Sequence, residues 1–205
     1  YQFVTTSEHT TLVNNGLLKF TDIPVYEGTY VTNRYTVDSQ NLEQKFLLNS
    51  DRADTTTLLV DVFENASATG SQTFTLAEDL TIVKSDSNNY FLQESIDGKF
   101  EVYFGDGITG KKLSDGNVVR LRYVVTNKTD ANGAQSFSTS SAISTVTDLS
   151  ILTVNSAEGG SERESIQSIK LNAPLDYAAQ GRAVSTNDFK AIVPKVYPNT
   201  RSVQV

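Results

Sequence analysis

The run FEVYFGDGITGKKLSDGNVVRLRY, Phe100 to Tyr123, decides how the rest of the chain is understood. Apolar and polar residues alternate before Gly105 and again after Gly116, the two-residue period of a half-buried strand. Between these flanks stand Gly105, Gly107, Gly110 and Gly116 with Asp106 and Asp115, residue types that favour turns. The stretch predicts a β-hairpin with a long, glycine-shaped tip. Two nucleotide-binding patterns overlap that tip: G-x-G-x-x-G at Gly105, Gly107 and Gly110, and a Walker A loop in which Lys112 replaces the magnesium-holding Ser or Thr. Phosphate binding by either pattern needs a helix to open at the last glycine, so that unpaired N–H groups face the anion. Here Ser114, Asp115 and Gly116 interrupt, and the β-rich run from Val118 to Val125 follows. A kinase glycine loop suits strand-loop-strand better but requires H-R-D and D-F-G sets downstream, and the one histidine is His9. No nucleotide or other cofactor is expected.

Composition narrows the classes further. A chain of 205 residues with 38% hydrophobic content is globular rather than disordered. With no cysteine there are no disulfides or thiolate metal sites, and a single histidine leaves little acid–base chemistry near neutral pH. No apolar run approaches the roughly 20 residues that cross a bilayer, so a soluble chain without membrane insertion is expected. The net charge of −7 argues against nucleic acid as a partner. Acidity is concentrated in residues 1–152, with 11 Lys and Arg against 19 Asp and Glu, whereas residues 153–205 carry 6 against 5. There is no methionine, even at position 1, and the last five residues alternate like a strand in mid-course, which suggests a fragment of a longer polypeptide.

Outward from the central stretch, Asn15-Gly16 between two apolar runs is a strong short hairpin signal, because both residues tolerate positive φ. Strands are expected at Thr29–Val37, Thr57–Phe63, Thr73–Leu76, Thr81–Lys84, Tyr90–Glu94 and Ser150–Val154. His9 stands among polar residues with no second ligand near it. Asp51, Asp54 and Asp61 lack the D-x-[DN]-x-[DN]-G calcium loop and are expected as solvated turn carboxylates. Ser136 to Ser150 is rich in Ser and Thr and fits a connector or an edge strand. Beyond Gly159 the chain turns helical: Ser161-Glu162-Arg163-Glu164 forms a capping-box pattern, Ile166, Ile169 and Ala173 follow at helical spacing, and Pro174 is expected to end the helix. A second helix is expected from Ser185, with Asp188 at the third position, Val184 and Phe189 placed for a hydrophobic staple, and Pro194 as its stop. No G-x-S-x-G elbow or catalytic set is present, so no enzyme and no small-molecule substrate are expected.

Two stretches in this order resemble a known family. Phe104-Gly105-Asp106-Gly107 with Gly110, Gly116 and the strand to Tyr123 resembles the F-G-D-G hairpin of baseplate J-like proteins of contractile-tailed bacteriophages. Gly159-Gly160 with Glu162 and Glu164, leading to Arg182-Ala183-Val184-Ser185 and Asp188-Phe189, resembles that family's second signature. The run from Leu47 to Asn65, LLNSDRADTTTLLVDVFEN, resembles baseplate wedge subunits of T-even-type phages. The resemblance implies a structural protein of the virion tail baseplate, assembled in the host cytoplasm. It implies dimerisation with itself, binding to other wedge proteins, ring assembly around the hub, and a change of shape as the sheath contracts and the genome is delivered.

The expected fold is mainly β, an antiparallel sandwich or open barrel followed by a two-helix element and a final strand. Its divisions are an N-terminal hairpin region (1–46), a β-rich domain (47–152) and an α+β part (153–205). Expected interface residues are Gly105, Asp106 and Gly107 at the glycine tip, with Glu162, Arg182, Asp188 and Phe189 around the helices. Arg182 is the foremost, as a fork-shaped donor able to fix its loop or pair with an acidic group. The alternative is a receptor- or glycan-binding β-sandwich module of a tail fibre or adhesin, using exposed Tyr26, Tyr30, Tyr35 and Tyr90 to stack on sugar rings.

Overall fold

A computed structural model describes residues 1–41, 43–139, 146, 149–197, 200 and 202–204, in two compact units, Tyr1–Asn127 and Lys128–Val205. The first contains β1 (Phe3–Val4), β2 (Val13–Asn14), β3 (Leu17–Leu18), β4 (Tyr26–Glu27), β5 (Thr29–Thr36), β6 (Phe46–Leu47), β7 (Ala53–Phe63), β8 (Ser71–Leu76), β9 (Asn89–Glu94), β10 (Phe100–Phe104) and β11 (Val118–Val125). Seven of these form one sheet in the order β5-β11-β7-β8-β9-β10-β6, nearly closed into a barrel. At the closure the Tyr35 hydroxyl donates to the Leu47 carbonyl at 2.6 Å, and the Tyr35 and Phe46 rings meet at 5.6 Å. The open-barrel alternative of the sequence reading is the one realised, with one departure from all-antiparallel pairing: β8 and β9 run parallel. Their crossover holds a 3-10 turn at Leu80–Ile82, where Thr81–Lys84 was expected as a strand. Asp79 caps that turn, accepting from the Thr81 amide and hydroxyl at 2.8 and 2.7 Å.

The interior follows from alternation. Val119, Leu121 and Tyr123 on β11, Leu58, Val60 and Val62 on β7, and Phe74, Tyr90, Val102 and Phe46 form the buried core. Phe104 binds two of these rings edge-on, Phe46 at 5.6 Å and Phe74 at 5.2 Å, a favoured aromatic geometry. The Tyr123 hydroxyl, taken out of water with its ring, donates to Asn33 at 2.8 Å and accepts from the Asn49 amide at 3.1 Å. Burial pushes the Tyr123, Tyr90 and Tyr35 phenols up.

Phe100 to Tyr123 is not a hairpin. Strand β10 pairs with β9 and β6, whereas β11 lies between β5 and β7. Alternation assigns faces to a strand and leaves its partner open. Here β9 is joined to β10 by a short turn, closed by the Ser95 amide on the Lys99 carbonyl at 2.7 Å, and a short loop is the cheaper one to close. The smaller Asn15-Gly16 hairpin forms as expected: Asn15 and Gly16 take φ of 50° and 76° between β2 and β3.

The second unit holds α1 (Ile166–Ala179) and α2 (Thr186–Val196). The first helix starts one turn later than the sequence suggests. Ser165 is its N-cap, accepting from the Ser168 amide at 3.2 Å, while Glu164 accepts from the Ser168 hydroxyl at 2.6 Å. Pro174 and Pro194 lie inside their helices rather than ending them. A proline removes one amide bond, and α1 has other support: it packs on α2 and buries Ala179. Ser150–Val154 is not a strand. Of the expected final strand, Arg201 and Val205 lie outside the described residues, and 202–204 are not extended into a strand. Most of the Ser/Thr-rich run between 140 and 148 also lies outside them.

Candidate interface elements

The connection from β10 to β11 is an ordered loop. Asp106 accepts from the amides of Ile108 and Thr109, each at 2.9 Å, and the Gly107 amide donates to the Gly110 carbonyl at 3.0 Å. Those two amides, Thr109 first, hold the Asp106 carboxyl below the usual aspartate range. Gly110 and Lys111 donate to Lys84 and Ser87, which fastens the loop to the β8–β9 crossover. Gly105 is there because nothing larger fits: a Cβ would lie 2.3 Å from the Gly110 carbonyl group and 2.4 Å from Thr109 O. Gly107 adopts φ +92°. The outcome is a tight tip that displays Ile108, 79% exposed. No helix opens at Gly110, from which the chain runs through a loop into β11, so the phosphate-binding geometry of the two nucleotide patterns does not form.

In the second unit Glu162 is anchored to Lys128 at 2.7 Å. Beside it Asn132 and Gly160 exchange hydrogen bonds of 2.7 and 3.0 Å, and a Cβ on Gly160 would meet the Lys128 carbonyl oxygen at 2.0 Å. The start of α2 bears out the sequence: Ser185 and Asp188 make a reciprocal capping box, Ser185 accepting from the Asp188 amide at 3.3 Å. Asp188 accepts in turn from the Ser185 and Val184 amides at 2.8 and 3.0 Å. Those two amides, with the Ser185 hydroxyl and the nearby Arg182 charge, hold its carboxyl low. Arg182 follows the left-handed Gln180 that ends α1 and donates to the Gln180 side chain at 3.2 Å. Phe189 is partly exposed, and Leu171, Tyr177 and Val184 on or beside the helices are exposed. The seven expected residues thus divide between the units: Gly105, Asp106 and Gly107 share one loop of the first, and in the second Arg182, Asp188 and Phe189 gather at the α1–α2 turn while Glu162 stands apart on Lys128.

Sequence reasoning missed a charged cluster on the outward face of the barrel. Asp61, expected as a solvated turn residue, is buried in β7. Its Oδ2 accepts from Arg120 Nε and Nη2 at 3.2 and 3.0 Å and from Arg122 Nη2 at 2.9 Å, and its Oδ1 from Thr73 at 3.1 Å. Arg120 and Arg122 stand two apart in VVRLRY and so share a face, a signal visible in the sequence; their partner, 59 and 61 positions away, was not. Among the described residues no three His, Asp or Glu side chains gather where they could hold a metal ion, and no helix is long and apolar enough to cross a membrane.

Comparison with known proteins places the chain near phage baseplate components. No protein-family profile matches it. It is similar to the baseplate wedge protein gp6 of Enterobacteria phage T4, 29% identical over 134 residues, a match covering 53% of this chain and 20% of the relative. The match thus takes in about one fifth of that protein's length, and the likeness supports a relation to phage baseplate proteins without assigning a particular family member.

Proposed function

We propose that this chain is a structural part of a phage tail baseplate wedge, working by being held between neighbouring subunits and without catalysis. The observation that carries the proposal is the likeness to the T4 wedge protein. The surface supports it. The β2–β3 hairpin is a sheet of its own and exposes Leu12, Val13, Leu17 and Leu18; a two-stranded hairpin is marginal in water by itself, and apolar residues of this kind suit contact with another chain. In this proposal the chain dimerises, joins other wedge proteins into a ring around the hub, and shifts its contacts as the sheath contracts. The glycine tip and the α1–α2 turn are its contact elements. Its place is the virion tail baseplate, reached by assembly in the host cytoplasm.

The adhesin alternative is weakened by where its aromatics lie. Tyr90 is buried in the core and offers no free face to a sugar, and Tyr35 packs on Phe46 with its hydroxyl engaged. Sedimentation velocity tests the dimer: Arg182→Ala is expected to shift the chain toward monomer with circular dichroism unchanged. Unaltered association removes Arg182 from the interface. Binding of the isolated monomer on a glycan array would favour the adhesin instead.

A further inference from the structure

Residues 1–127 carry 10 Lys and Arg against 17 Asp and Glu, yet one outward face of their barrel is basic. Two rows of cross-strand neighbours define it. Arg34 on β5, Arg120 on β11, Asp61 on β7 and Thr73 on β8 stand side by side, and next to them lie Thr32, Arg122 and Leu59. Within these rows three guanidiniums face one carboxylate, and that carboxylate is already occupied by Arg120, Arg122 and Thr73. Arg34 is left opposite Arg120 with no anion between them, an arrangement that is destabilising in a sheet. The two share the Phe63 ring, with Arg120 Cζ at 4.7 Å and Arg34 Cζ at 5.7 Å from its centroid. Arg122 Nε lies out of solvent with no hydrogen-bond partner. The Phe63 ring and Asp61 offset part of this crowding, yet they leave the excess positive charge unmatched, and a sheet that departs from its own pairing rules points to a binding role at that place.

We infer that the Arg34–Arg120–Arg122 face docks a short carboxylate-bearing segment of a partner protein. Guanidinium forks match carboxylates in bidentate geometry, and the uncompensated charge on the face corresponds to two incoming carboxylates. An extended nucleic-acid backbone fits poorly, because the acidic surroundings repel it beyond the patch. A two-fold self-contact centred here fits poorly as well, since it sets arginine against arginine. The inference does not depend on the baseplate assignment, because the face is the same in any assembly.

The test is fluorescence anisotropy of a fluorescein-labelled hexaglutamate peptide with the whole chain at low salt, with an oligothymidine and self-association by sedimentation in parallel. The expected result is peptide binding that fades toward 1 M NaCl, where the Debye length is about 3 Å. Arg34→Glu, which leaves every hydrogen bond of Asp61 in place, should weaken binding by roughly tenfold or more, and Arg34→Gln should fall between; Lys19→Glu, an equal charge change just after β3, should stay within about twofold. Circular dichroism confirms folding, and Arg34→Gln decides the matter if the reversal does not fold. No peptide binding, equal binding by the Arg34 variants, or an equal loss in Lys19→Glu overturns the inference. Tighter oligothymidine binding reassigns the face to nucleic acid, and self-association lost in Arg34→Glu reassigns it to a second copy; either result overturns the proposed occupant.

Discussion

Thr57 shows how one hydroxyl settles a local conflict in the sheet. The register of β7 against β11 jumps from Leu59 opposite Arg122 to Asp54 opposite Val124, which interrupts the regular ladder. The Thr57 hydroxyl fills the gap, accepting from the Val124 amide at 3.0 Å and donating to the Asp54 carbonyl at 2.8 Å. Thr57→Val keeps the shape and removes both bonds, leaving a buried amide unpaired. The expected loss is about 1–3 kcal/mol, read as a lower urea midpoint; an unchanged midpoint would mean the amide finds another acceptor. Asp61→Ala strands two arginines whose side chains are 23% and 31% exposed. Because they retain some solvent, the cost should lie near the low end of the range for breaking a buried pair, about 3 kcal/mol.

At the scale of elements, the glycine loop and the start of α2 depend on short-range bonds to carboxylates. Asp106 and Asp188 both have folded-state pKa values held below the ordinary aspartate value of 3.8. A depressed carboxyl contributes stability that is present above its unfolded pKa and lost as the pH falls through the folded one. The loop and the helix start should therefore stay intact at neutral pH and loosen only as the pH drops below 3.8, seen as line broadening of the Ile108, Thr109, Val184 and Ser185 amides. Loss of those signals at pH 6 would contradict the capping geometry. Ser185→Ala should lower helix stability by about 1 kcal/mol.

These elements also show how far a sequence carries. The Asn15-Gly16 hairpin and the Ser185–Asp188 capping box were legible because each is set by residues two or three apart. The start of α1 was misread because Ser161 and Ser165 both offer a cap; the choice fell to Glu164, which bonds the Ser168 hydroxyl, and to Glu162, which is held by Lys128. The partners of β10 and β11, and the burial of Asp61, were hidden because they depend on strand pairings far apart in the chain.

For the whole molecule, the barrel has a complete core, and the proposed work lies in the periphery of each unit: the β2–β3 hairpin, the glycine tip and the basic sheet face in the first, and the α1–α2 turn in the second. Altering that periphery should change association and leave folding nearly untouched, whereas core changes should do the reverse. Gly105→Ala lies between the two, because a Cβ 2.3 Å from Gly110 forces the tip to open while β10 keeps its place. Its expected cost is on the order of 2 kcal/mol, together with weaker binding to neighbouring subunits in pull-down assays. The central claim is that this chain is built into a tail baseplate. The most direct measurement is electron microscopy of purified phage particles labelled with gold-conjugated antibody against this chain. Gold at the distal end of the tail, on the baseplate, is the predicted result; gold confined to heads, sheaths or fibre tips, or particles that carry none of the protein, would contradict it.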